Sequence, residues 1–128
     1  MRKLLAVILA ALLLCACAAE GENDVNGYTQ ISQEEAKAMM DAGGAVILDV
    51  REQHEFDEGH IPGAALLPVG SIDETSAGKV IPDKDTVVLV YCRSGNRSKT
   101  ASDALAALGY TQVYEFGGIN TWPYDIEK

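Results

Sequence analysis

The sequence predicts an α/β domain in three layers, with a parallel sheet of about five strands and helices on both faces. Residues 45–50 and 86–91 are short, nearly unbroken apolar runs, the pattern of parallel strands buried on both sides. The segments around them carry helical spacing and helix caps, and strand and helix alternate along the chain. With 128 residues in all, the chain has room for one such domain.

The elements follow in order. Residues 28–31 are a short strand candidate, and Ser32 with Glu35 three positions later is a capping box that starts a helix over 33–42, stopped by Gly43 and Gly44. The run 45–50 is the first strong strand, carrying Asp49 near its end. Residues 52–58 read as a short helix, Ile61-Pro62-Gly63 as a turn and 64–67 as a brief strand, while 71–78 is ambiguous. The second strong strand, 86–91, delivers Cys92 at its tip. Ala101, Leu105 and Leu108 have helical spacing over 98–108, with Gly109 placed to end the helix. Residues 112–116 read as a last strand, after which Gly117 and Gly118 turn into a short helix through Trp122.

The formal net charge is −9. Such a surface repels phosphate backbones, which excludes nucleic acid as an expected partner. Of three cysteines, Cys15 and Cys17 lie at the N-terminus and Cys92 stands alone in the domain, so no disulfide framework is predicted. The C-x-C pair lacks the further Cys or His of a zinc site, and no metal is expected.

Met1-Arg2-Lys3 is a basic start to an apolar run over 4–14, too short to cross a bilayer, and reads as a signal peptide over 1–16. Residues 14–17, Leu-Cys-Ala-Cys, resemble the bacterial lipobox, which implies that Cys17 is lipidated and anchors an extracytoplasmic protein to a membrane. The alternative takes Ala16-Cys17-Ala18 as an ordinary cleavage site and yields a soluble secreted or periplasmic protein. Residues 17–27 are acidic, polar and glycine-bearing, as in a flexible tether, and 28–128 form the domain.

The chemistry concentrates in Cys92-Arg93-Ser94-Gly95-Asn96-Arg97-Ser98, between a buried strand and a helix. Backbone N–H groups at a helix start, with glycine allowing a tight turn, make an anion cradle. The helix dipole and the guanidiniums of Arg93 and Arg97 are expected to lower the pKa of Cys92 and enrich its thiolate. The competing readings are an inert buried cysteine and two solvated arginines. Asp49 and Arg51 read as an ion pair or loop brace rather than a catalytic acid and base, and His60 as a hydrogen-bonded brace. His54 reads as surface, and Phe56 and Trp122 as sheet packing.

The strand–Cys–loop–helix unit, Asp49-Val50-Arg51, the run Glu55-Phe56-x-x-Gly59-His60-Ile61-Pro62-Gly63-Ala64 and Gly117-Gly118-x-x-x-Trp122 together resemble the single-domain rhodanese-like sulfurtransferase family, over nearly all of residues 28–128. The resemblance implies the rhodanese-like three-layer fold and an enzyme of the thiosulfate sulfurtransferase type. In it Cys92 accepts a sulfane sulfur as a persulfide, cradled by the backbone of Arg93, Ser94, Gly95, Asn96 and Arg97 and by the Ser98 hydroxyl. The expected partners are a small sulfur-containing anion such as thiosulfate and a thiol or cyanide acceptor, with no cofactor, in a monomer. Related dual-specificity phosphatases and arsenate reductases carry Cys-x5-Arg, whereas Cys92 and Arg97 are spaced Cys-x4-Arg, a tighter ring that disfavours a phosphatase. A non-catalytic binding or sulfur-delivery module at the cell envelope remains the alternative.

Overall fold

A computed structural model describes residues 24–25 and 27–128, so the signal peptide, the lipobox, Cys17 and most of the tether lie outside the described residues. The described elements are β1 (Asp24–Val25), β2 (Tyr28–Gln30), α1 (Gln33–Ala42), β3 (Val46–Asp49), α2 (Gln53–Glu58), β4 (Ala65–Leu66), α3 (Glu74–Val80), β5 (Val87–Cys92), α4 (Asn96–Ala107) and β6 (Gln112–Gly118). Single 3-10 turns lie at Val69–Ser71 and Ile119–Thr121. The sheet order is β1-β2-β6-β5-β3-β4. Strands β2, β6, β5, β3 and β4 are parallel, and β1 joins β2 antiparallel at the edge. This is the α/β architecture read from the sequence, with one two-residue strand added in the stretch read as tether.

Alternation along β5 builds the layers, because successive strand side chains point to opposite faces. Val88, Val90 and Cys92 join Leu48, Val113, Ala77, Ala101 and Leu105 in the core under α3 and α4. Leu89 and Tyr91 join Phe116, Ala36 and Trp122 in the core under α1. The capping box forms as read: Ser32 Oγ accepts the Glu35 N–H and the Glu35 carboxylate accepts the Ser32 N–H, both at 3.0 Å. Gly43 and Gly44 leave α1 with φ of 86° each, a conformation that favours glycine.

Several sequence expectations are corrected. The ambiguous stretch 71–78 holds the start of α3, which runs on to Val80 and is capped by Asp73, whose carboxylate accepts the Ser76 N–H at 2.8 Å. Helix α4 begins at Asn96, two residues before the expected start, because Gly95 at φ 107° turns the chain without a side-chain cap. Strand β6 runs on through both glycines to Gly118, with a register shift against β5 between Val90 and Cys92. Phe56 packs outside the two sheet cores, stacked on His60 with ring centroids 3.7 Å apart.

Two contacts fasten the end of β5 to its surroundings. The first is backbone to backbone: the Asn120 N–H donates to the Arg93 carbonyl at 3.1 Å, and a Cβ at Gly118 would overlap that carbonyl and lie 2.6 Å from Ser94 Cα. The second is a two-pronged ion pair in which Arg97 Nη1 and Nη2 donate to the two Glu55 carboxylate oxygens at 2.8 and 3.0 Å, tying α4 to α2. The Arg97 hydrogen bonds pull the Glu55 carboxyl down to about 2, against the opposing effect of burial, and the Glu52 N–H adds to them.

Both contacts generate predictions. Gly118→Ala is expected to lower stability by about 3 kcal/mol, the overpacking of backbone against backbone, read by urea unfolding. Glu55→Gln removes an acid whose folded-state pKa is depressed. Its stabilisation is present above the ordinary carboxyl range, near 4.5, and fades as pH falls toward about 2. Unfolding free energies should therefore differ by about 1–2 kcal/mol at neutral pH, the pair being partly exposed on the Arg97 side, and converge in strong acid.

Candidate functional site

Cys92 closes β5, which is why its side chain falls on the α4 side of the sheet and directly below the start of that helix. The residue is 1% exposed. From Cys92 the chain turns through Arg93 and Ser94, and at Gly95 it enters α4. The left-handed Gly95 aims its own N–H back at the sulfur, which accepts it at 3.0 Å. Ser98 lies in the first turn of α4, wholly buried, with Oγ 3.4 Å from the sulfur. Burial pushes the Cys92 thiol up, but its hydrogen bond with the Ser98 side chain and those from the backbone of Ser98, Gly95 and Ser94 outweigh it, and the net shift is downward.

The downward shift was expected from the helix dipole and from Arg93 and Arg97, whereas the hydrogen bonds of the loop are the larger causes. Arg97 spends its guanidinium on Glu55, and Arg93 is exposed and forms no ion pair among the described residues. The short-range hydrogen bonds of the loop lead in drawing the thiol's pKa down, and Arg97 adds a longer-range attraction to the thiolate. Asn96 is exposed at the first position of α4. Beside the loop a cleft of about 430 Å³ opens, with Ser94, Gly95, Lys99, Gly117 and Asn120 among the residues on its walls.

The other singled-out residues gather at a second place along the strand ends. Asp49 is fully buried and forms an ion pair with Arg51, Nη2 to Oδ2 at 2.7 Å, while the Tyr91 hydroxyl donates to the same oxygen at 2.7 Å. Arg51 also donates to the Gly59 carbonyl at 2.7 Å, and the Ile61 N–H donates to the Tyr91 oxygen at 3.1 Å. Burial, followed by the hydrogen bond to Asp49, raises the Tyr91 phenol well above its usual range. His60 places Nδ1 2.9 Å from the Phe56 carbonyl and Nε2 3.4 Å from the Glu127 carboxylate. These groups knit the loop over 59–61 to the ends of β3 and β5, and they are bonded to one another rather than to Cys92.

Two residues at the Cys92 site were not singled out from the sequence as site residues. Glu55 was quoted only as part of a motif. Glu115 is 3% exposed, and its Oε2 accepts the Ser98 hydroxyl at 2.5 Å and the Gly117 N–H at 3.0 Å. Strand alternation carries the signal for it: two positions after the core residue Val113, an acid must share the buried face.

Comparison with known proteins places this geometry. The family model described as Rhodanese-like domain matches residues 32–123. The thiosulfate sulfurtransferase GlpE of Coxiella burnetii is 38% identical over 96 residues, covering 74% of this chain and 87% of that protein. The thiosulfate sulfurtransferase PspE of Escherichia coli is 36% identical over 72 residues, covering 56% of this chain and 68% of that protein. A solved structure of a rhodanese with anions from E. coli superposes with a TM-score of 0.61 at 30% identity, covering 66% of this chain and 98% of that one. With the family model matching residues 32–123 and a relative 38% identical over most of its length, the chain belongs to the rhodanese-like domain family.

Proposed function

We propose that the protein is a sulfurtransferase that moves sulfane sulfur from an anionic donor such as thiosulfate to a thiophilic acceptor through a persulfide on Cys92. The observation that carries the reading is the Cys92 sulfur at the N-terminal end of α4, hydrogen-bonded by the Gly95 N–H at 3.0 Å, with its pKa drawn down. The similarity to thiosulfate sulfurtransferases supports it.

The thiolate attacks the outer sulfur of thiosulfate. A Cys92 S–S bond forms, the donor's own S–S bond breaks, and sulfite leaves with the electron pair. The terminal persulfide sulfur carries the negative charge into the ring of loop amides, where the α4 dipole favours it. A cyanide or thiolate then attacks that terminal sulfur, and Cys92 departs as the thiolate that began the cycle. The residues that hold the sulfur in this reading are Ser94, Gly95 and Ser98. Arg97, paired with Glu55, fixes the loop, while exposed Arg93 meets the incoming anion. Asp49, Arg51 and His60 brace the neighbouring loop.

We further propose that residues 1–16 are removed and that Cys17 is acylated, giving an extracytoplasmic, membrane-anchored lipoprotein. Its support is the sequence pattern at 14–17.

Incubation of the protein with thiosulfate should add one sulfur, about 32 Da, to its intact mass, and Cys92→Ser should abolish the gain. No gain on a folded protein with reduced Cys92 favours the non-catalytic binding module. Expression in a bacterial host with radiolabelled palmitate should label the protein, and Cys17→Ser should remove the label; equal labelling of both overturns the anchor.

A further inference from the structure

Cys92, Ser98 and Glu115 form a buried chain of contacts. Sγ lies 3.4 Å from Ser98 Oγ, Ser98 Oγ lies 2.5 Å from Glu115 Oε2, and the three residues are 1%, 0% and 3% exposed. Ser98 has a single hydroxyl proton, and the shorter contact commits it to the carboxylate. What Ser98 then presents to the sulfur is a lone pair. A lone pair suits an S–H thiol and repels a thiolate.

Turning the Ser98 proton toward a thiolate would leave Glu115 charged with, among the described residues, the Gly117 N–H at 3.0 Å and the Gln30 side-chain amide at 3.4 Å. Two anions would then share one buried run of contacts, an arrangement in which one of them takes a proton instead. We propose that Glu115 is a positioning residue that takes up, through Ser98, the proton Cys92 gives up on becoming a thiolate. The S–H bond breaks as an O–H bond forms at Ser98, and the former Ser98 proton forms an O–H bond at Glu115. No electrons change owner, and one negative charge remains, moved from Glu115 to the sulfur under the Gly95 N–H. The proposal rests on the sulfurtransferase reading, which requires that thiolate.

Other ionisable groups surround the chain of contacts. Tyr28 on β2 and Asp103 on α4 interact electrostatically, and Tyr28 does so with Glu115. Arg97 on α4 interacts with Cys92 but is spent on Glu55 of α2, Lys99 shares the adjoining cleft with Glu115, and Arg93 is exposed. None of the arginine or lysine side chains hydrogen-bonds to Ser98 or Glu115 among the described residues, so the carboxylate is the acceptor within reach.

The test is the pH dependence of iodoacetamide alkylation on the whole protein, read at the Cys92 peptide by mass so that Cys15 and Cys17 do not contribute. A shared proton gives the wild type two steps, a reactive plateau that begins when the pair loses its first proton and a second rise when it loses the next. Glu115→Gln, which fixes the neutral partner the thiolate needs, should merge the two steps into one and react at about pH 6 at least as fast as the wild type, whereas Ser98→Ala, which cuts the route between the two groups, should lower the plateau and slow alkylation there by about tenfold. Ser98→Thr, which keeps a hydroxyl, should restore the plateau. A single-step wild-type profile overturns the proposal, as does a Glu115→Gln protein that keeps the two-step profile. The wild-type profile decides the matter even if a variant does not fold. Sulfur loading from thiosulfate is a separate readout: a single-step profile in a protein that still gains a sulfur removes the relay and leaves the transferase.

Discussion

The contact between the backbone after Cys92 and the backbone of Gly118 is the constraint on which the site depends. Strand β5 is paired on both sides, by β3 and β6, so its direction is set, and whatever follows Cys92 must turn within the space that β6 leaves. That space exists because β6 slips register between Val90 and Cys92 and because position 118 has no side chain. The turn then passes through a left-handed Gly95 and starts α4 over the sulfur. A strand end, a register shift and two glycines thus produce a set of loop N–H groups around one atom.

The charged residues nearby divide the remaining work. Glu55 occupies Arg97 and so turns a cation from a general electrostatic influence into a fixed strut between α2 and α4. Asp49 is saturated by Arg51 and the Tyr91 hydroxyl, and the other partners of these two reach the loop over 59–61. Each of the buried acids Asp49, Glu55 and Glu115 is therefore hydrogen-bonded, as burial of charge demands. They differ in what they touch: Asp49 and Glu55 meet permanent cations, whereas Glu115 meets only groups that are neutral, one of them a hydroxyl in contact with the thiol.

Much of this was legible in the sequence, and the limits have physical reasons. Helix α1 was found over its full length because a capping box and a glycine pair mark both ends. The buried strands β3 and β5 were found because parallel pairing demands unbroken apolar runs. Strand β1 has two residues and no periodicity to read. Helix α3 carries Thr75 and Gly78, which obscure a helical pattern, although Asp73 and Ser76 held the signal of its cap. The end of β6 was misjudged because glycines signal turns, whereas here they serve close approach. Residues Cys92 to Ser98 were legible as one loop between strand and helix because they are contiguous. The state of Arg97 was not, because its partner lies 42 positions away, and neither was the approach of Glu115 to Ser98, which depends on the pairing of β5 with β6.

Burial of the Cys92 sulfur has a consequence for survival of the thiol in oxidising surroundings. Cys92 has no other cysteine among the described residues with which to close a disulfide, and at 1% exposure it presents almost no surface to a bulky oxidant. Attack by a large disulfide or formation of a linked dimer requires the loop from Arg93 to Gly95 to open first, whereas a slender reagent can follow the amides inward. The lifetime of the reduced sulfur is then governed by how often that loop opens, a kinetic filter, rather than by the intrinsic reactivity of a thiol whose ionisation is favoured.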